Sequence, residues 1–290
     1  MRSEFQRLMR DGDMLTRLIV INVLVFVIVV FIKLFQFLLQ RNFADQIIEW
    51  FTLPTFLPLL VLRPWSLLSY MFLHEAPFHL IFNMLWLYFG GLIFLNFFSE
   101  RQLLGTYITG GLMGGLLYIL SYNIFPVFEP VVASSTNRGA SAAVMAIIIA
   151  AATYAPNFPV RLFFVLEIRL WVVAVISVLF DLASIERGNA GGHIAHLGGA
   201  IFGYLMAKSY NKGISLTQWV FDLSDVVLRI FKPKKLKKVY ASKGYTKVYS
   251  KDANLSDRQR LDQILDKISL SGYDSLSKEE KEFLFKIGKQ

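Results

Sequence analysis

Two kinds of side chain in this sequence could make and break bonds together: a lone serine hydroxyl and a small set of histidines. Ser141 sits in "NRGASAAVMAIIIAAATYAP", Asn137 to Pro156, among glycine and alanines where a very apolar segment begins. All four histidines fall in two places. His74 and His79 lie in "FLHEAPFHLIFNMLW", and His193 and His196 lie in "GGHIAHLGGAIFGYLMA". A serine hydroxyl is a poor nucleophile until a neighbouring base removes its proton, and an imidazole with a pKa near 6.5 suits that task. His79 and Asn83 are four residues apart, on one face of a helix, and both can donate hydrogen bonds toward a developing oxyanion.

The elements that must hold these groups are apolar. Of 290 residues, 55% are hydrophobic and 18% charged, a balance that points first to a membrane-embedded chain. Several runs reach the roughly 20 residues needed to cross a hydrocarbon core. The first, Leu18 to Leu39, is too long for a signal-peptide core and lacks a small-residue cleavage site, so it reads as a retained span. The stretch from Arg41 to Pro64 is apolar but interrupted by Pro54 and Pro58, and reads as an interfacial element. Further spans are expected at about Phe78–Phe98, Leu103–Tyr122, Ala140–Ala155, within Val160–Leu182, and at Gly192–Ser209. That makes six. The third contains "GGLMGG", a doubled small-residue pattern that favours close helix packing rather than chemistry.

Orientation follows from charge. Arg2, Arg7, Arg10 and Arg17 precede the first span, and most lysines follow the last. An even number of spans puts both basic ends on one side, the cytoplasm. Ser141, His79 and His196 then start three helices that run inward from the outer face, at similar depth. Ionisable groups at that depth are costly and usually functional. The expected span at Ser141 is only about 16 residues, roughly 24 Å, so its start should be recessed in a wet hollow. Ala142, Ala146 and Ala150 form one small-residue seam, and Ala195, Gly199, Gly203 and Ala207 another. Facing seams would bring Ser141 and His196 within hydrogen-bond reach.

With these pieces in place, the sequence resembles the rhomboid family of intramembrane serine proteases. The resemblance covers about Trp65 to Ala207 and rests on "RPWSLLSYMFLHEAPFH", "HLIFN", "RGASAA" and "AHLGGAIFG". It implies an all-α membrane protein, a six-transmembrane-helix bundle with a small helical cytosolic C-terminal tail. By position it implies Ser141 as nucleophile, His196 as base, His79 and Asn83 as oxyanion donors, and Gly139, His74 and Gly199 as motif or structural residues. The implied substrates are transmembrane segments of other proteins, cut near the outer face, in the cell membrane and specifically a bacterial inner membrane. The family works with a dyad, and no acidic partner for His196 is visible in the sequence. The chain departs from the pattern at Ala142, where glycine is common, at Met145, where an aromatic is common, and at Ser66, where arginine often follows the tryptophan; Arg63 stands nearby.

Blander readings remain beside these. Ser141 could be a helix N-cap, His79 with Asn83 could be interhelical glue, and His193 a solvated or structural histidine. A pseudoprotease that binds membrane proteins without cleaving them would keep the fold. "HEAPFH" is not a zincin motif, since its histidines are five apart with Pro77 between them. A site built from all four histidines is conceivable; the expectation is no metal and no cofactor. There is no cysteine for thiolate ligation.

Domain organisation is expected as an N-terminal arm 1–17, a membrane domain 18–210 and a basic linker with a helical tail 211–290. The net charge of +9 concentrates at Arg229 to Lys251, where there is no acidic residue. That stretch suggests contact with anionic lipid; charge alone does not separate this from nucleic acid, and the expectation is lipid. The tail reads as two amphipathic helices around "SGYDS", with Ser256 as a first cap and a second start at "SLSKEE", where Glu279 follows Ser277.

Overall fold

In the computed structural model the described residues are 12–162, 166–231 and 257–287. They form two compact units, residues 1–233 and 234–290.

The first unit is built on helices. Helix α1 (Met14–Leu39) is capped by Asp13, whose carboxylate accepts from the Thr16 amide at 2.7 Å. It buries only Leu15, Leu18, Asn22 and Val29, and the rest of its apolar surface faces outward, as a membrane-crossing helix would require. Asn22 is its polar anchor, donating to Tyr107 Oη at 3.0 Å, and Tyr107 in turn donates to the Met71 carbonyl at 3.1 Å. The expected interfacial stretch forms no long helix. It folds into two six-residue helices, α2 (Ala44–Glu49) and α3 (Leu57–Leu62), with strand β1 (Leu53–Pro54) between them. A four-residue helix, α4 (Ser66–Ser69), continues into a 3-10 turn at Tyr70–Phe72. Arg63 lies over the Trp50 ring at 4.9 Å and donates to the Glu49 carbonyl at 3.2 Å, so it fastens this connection together.

Helix α5 (Pro77–Leu95) starts on a proline, whose missing N–H costs nothing there. Helix α6 (Glu100–Ile124) begins with a reciprocal Ser99–Gln102 capping box. Strand β2 (Thr136–Asn137) pairs antiparallel with β1, matching Leu53 to Asn137. Helix α7 (Ser141–Tyr154) has 14 residues, about 21 Å, and buries ten of them. A helix apolar all round belongs inside a bundle, and α7 is the central one. Helices α8 (Leu170–Ser184) and α9 (Ala190–Tyr210) follow. Helix α10 (Gln218–Phe231) packs back on α6, with Arg101 over the Phe221 ring at 4.5 Å.

The core is held by backbone proximity. A methyl added at Gly199 would overlap the Ala142 carbonyl, and one at Gly203 the Ala146 carbonyl. Gly110 faces the Ala146 methyl, Gly114 faces Ala142 and the Ala195 carbonyl, and Gly198 faces the backbone of Met113 and Gly114. The seams on α7 and α9 therefore face each other, and the "GGLMGG" glycines of α6 close the third side. Such contacts replace the hydrophobic driving force that lipid cannot supply.

The span expected within Val160–Leu182 starts late. Strands β3 (Pro159–Leu162) and β4 (Leu166–Arg169) pair antiparallel, and helix α8 starts only at Leu170. Arg161, Glu167 and Arg169 alternate with apolar residues there, a period-two pattern, and Arg161 pairs with Glu167 at 3.4 Å across the hairpin. Among the described residues three helices, α1, α5 and α6, are long and apolar enough to cross a membrane, and α7 is a shorter apolar helix.

The second unit contains α11 (Asp257–Ser271), a 3-10 turn at Tyr273–Ser275 and α12 (Lys278–Ile287). Ile264 and Leu276 are buried in it. Ser277 caps α12 with Glu280 as its reciprocal partner at 2.7 Å, not Glu279, because the box needs a three-residue step. Lys267 ties the two helices through Glu280 at 2.7 Å. Ser256, Arg2, Arg7, Arg10 and the basic stretch from residue 232 to Lys251 lie outside the described residues.

Candidate active site

Ser141 is the first helical residue of α7. Its N-cap is Ala140, and no side chain caps the helix start, so the Ser141 hydroxyl is not spent on an N-cap. The leading backbone N–H groups of α7 are left for another acceptor. Three restraints hold this start in place. Gly139 N–H donates to the Tyr70 carbonyl at 2.9 Å, β2 is stapled to β1, and Arg138 pairs with Glu75 at 2.8 Å. Gly139 has φ of +134°, and a Cβ there would come 3.0 Å from Cε1 and Nε2 of His79. Glycine is needed on both counts.

Ser141, His196, His79 and Asn83 all line one cavity of about 830 Å³, with Met145, Arg138 and Trp86 also on its wall. His79 and Asn83 come from successive turns of α5, and one Asn83 N–H donates to the His79 carbonyl at 2.9 Å, leaving its second amide hydrogen to the cavity. His196 comes from α9, whose contact with α7 at Gly199 sets its distance from the serine helix. No hydrogen bond joins Ser141 to His196 in this structure; unliganded sites of this kind often close only around substrate. His74 is buried, 3% exposed, and stands edge-on to His79 with ring centroids 5.1 Å apart. Burial, reinforced by the neighbouring His79, pushes its pKa down to about 4.

The residue that sequence reasoning missed is Asp181. It sits on α8, 2% exposed, and its Oδ1 lies 2.8 Å from Nδ1 of His196 and 2.8 Å from Nδ1 of His193. The expectation that His196 lacks an acidic partner is therefore corrected. A carboxylate accepts, so Nδ1 of His196 donates to it, and in the neutral ring the lone pair is then on Nε2. Of the two readings given for His193, solvated or structural, its contact with Asp181 fits the structural one. The signal was present: Asp181 is the single acid in "LWVVAVISVLFDLAS", and an ionisable residue inside an apolar helix is a site hypothesis by default. The four histidines do not gather into one cluster. Among the described residues, the group that converges closely enough to hold a metal ion is Asp181, His193 and His196.

The Rhomboid domain family profile matches residues 62–212, just over half of the chain. The chain belongs to the rhomboid family. The match contains every residue of the site, from His74 to Gly199. A curated relative, "RHOMBOID-like protein 12, mitochondrial" of Arabidopsis thaliana, is 27% identical over 157 residues, covering 51% of this chain. The matched region spans about half, 47%, of that rhomboid-like protein. A second profile, described as a family of unknown function (DUF6576), matches residues 249–289, the helical tail that follows the rhomboid domain. Rhomboid membership together with three long apolar helices makes this a membrane protein.

Proposed function

We propose that this rhomboid is an active intramembrane serine endopeptidase that cleaves transmembrane segments of other membrane proteins near the outer face. The observation that carries the reading is the shared cavity: the uncapped start of α7 brings Ser141 into the space lined by His196, His79 and Asn83. In this reading substrate binding draws the Ser141 hydroxyl onto Nε2 of His196. That nitrogen takes the proton, Ser141 Oγ attacks the scissile carbonyl, and the same proton passes to the leaving amine. His79, the free Asn83 N–H and the first backbone N–H groups of α7 receive the oxyanion. Losing one such donor typically raises the barrier by about 3 kcal/mol. Asp181 acts through His196, fixing its tautomer and stabilising the imidazolium as it forms, so the dyad has a positioning carboxylate behind it.

The same reading counts α1 and α5–α9 as six spans with both termini in the cytoplasm, in a cell membrane and specifically a bacterial inner membrane. The recessed start of α7 gives water access from the outer side. The basic stretch 229–251 then faces anionic lipid on the inner leaflet.

The second reading, a pseudoprotease that holds membrane proteins without cutting them, draws on the missing Ser141–His196 hydrogen bond and on Met145, a more yielding wall than an aromatic ring. Purified protein and its Ser141→Ala variant, offered a panel of model transmembrane substrates, separate the two. Cleavage by the wild type alone supports the protease. Equal inertness of both supports the binder.

A further inference from the structure

Three donor atoms converge on one wall of the cavity. They are Oδ1 of Asp181 from α8 and the two Nδ1 atoms of His193 and His196, three residues apart on α9. Each Nδ1 lies 2.8 Å from the carboxylate oxygen, and the three residues each offer a ligand atom within 4.8 Å of the other two. The second carboxylate oxygen, Oδ2, is buried with no hydrogen-bond partner. One oxygen thus serves two imidazoles while the other stays idle, and a buried acceptor without a partner is costly.

We propose that Asp181, His193 and His196 form a binding site for a divalent transition metal, zinc above all, and that filling it switches the protease off. Binding stands on the geometry alone; the switch rests on the serine-protease reading.

The donor set selects the metal. Two imidazoles and one carboxylate are borderline ligands suited to zinc, with a fourth position left for cavity water. Calcium and magnesium call for all-oxygen shells, which this wall does not offer. Zinc–ligand distances of about 2.0–2.2 Å place tetrahedral donors roughly 3.3 Å apart, so the two 2.8 Å contacts need to open by about half an ångström while the two imidazoles swing toward each other around the ion. The cavity that admits substrate also admits the ion, since all three residues line it.

The consequence follows from the tautomer. A metal on Nδ1 of neutral His196 leaves that ring's single N–H on Nε2, exchanged through water with no net proton released. Nε2 then donates instead of accepting, and it cannot take the proton from Ser141. Asp181 is drawn to the metal at the same time, so the apo form is the active one.

The test uses the full chain in detergent, purified on a non-histidine tag and stripped with EDTA. Zinc sulfate is titrated by calorimetry, and retained metal is measured after desalting. Wild type and Ser141→Ala should each retain one zinc per chain. Asp181→Asn and His193→Gln should bind more weakly by at least the roughly tenfold that loss of even an outer-shell partner costs. Cobalt(II) added to the wild type should give the intense visible bands of a four-coordinate ion, a readout free of any folding defect in the variants. Failure to retain zinc, or unchanged binding in both variants, overturns the site. For the switch, zinc should lower cleavage of a model substrate about tenfold or more, EDTA should restore it, and His193→Gln should lose the zinc-to-apo rate ratio. Zinc that binds yet leaves cleavage unchanged or faster overturns the switch. Zinc that binds a protein inert under all conditions leaves the site standing and refutes the protease reading instead.

Discussion

Gly199 of α9 packs directly on the backbone carbonyl of Ala142 in α7, with no room for a methyl group between them. This contact fixes the spacing of the helices that carry Ser141 and His196, each a few residues from it. Gly199→Val should force the helices apart, and overpacking of this kind typically costs about 1–3 kcal/mol. Thermal unfolding in detergent should show that loss, and the cleavage rate of the folded fraction should fall as well. Full specific activity in a destabilised Gly199→Val would show that the contact serves stability alone.

Ser141→Ala and His196→Ala should each abolish turnover to a similar degree, and the double variant should be no worse than either. Groups that work as one unit are strongly non-additive. Single-turnover cleavage assays of the three variants check this. A His196→Ala variant with near-normal turnover would remove it from the role of base.

Asp181→Asn should lower kcat by about tenfold or more while KM changes little, because an amide can hold the imidazole in the wrong tautomer. Asp181→Glu, which keeps the charge, should recover part of the loss. A carboxylate needed only for folding would instead change expression and unfolding temperature without that kcat pattern.

His74 supplies a pH dependence of stability. Its folded-state pKa, about 4, lies below the ordinary 6.5, so the unfolded chain binds the proton more readily. The stabilisation is complete above pH 6.5 and is lost as pH falls toward 4, by roughly 3 kcal/mol at most. Unfolding midpoints between pH 7 and pH 4 should drop steeply for the wild type and less for His74→Gln. Parallel curves would contradict the assignment.

The helical tail holds no group of the candidate site. A chain ending at Pro233, the limit of the first compact unit, should still cleave a model substrate in detergent. A folded truncation that cleaves none would show that the tail takes part in catalysis.

The site was legible where chemistry and local spacing coincide. Ser141, His196, His79 and Asn83 stand out because polar groups at helix starts are rare in so apolar a chain, and the seams at Ala142 and Gly199 announce their own packing. The strand pair β3–β4 was hidden by hydrophobicity, which masked the alternation of Arg161, Glu167 and Arg169. Asp181 was hidden for another reason. Fifteen residues separate it from His196, and only the packing of α8 on α9 brings the two together. Tertiary placement of a single acid leaves no periodicity to read.

The central claim is an activated serine at residue 141. The direct measurement is mass spectrometry of the full chain after treatment with a serine-directed phosphonate in liposomes. The account predicts an adduct on Ser141 in the wild type that is lost in His196→Ala. An unmodified Ser141, or labelling that persists without the histidine, would contradict it.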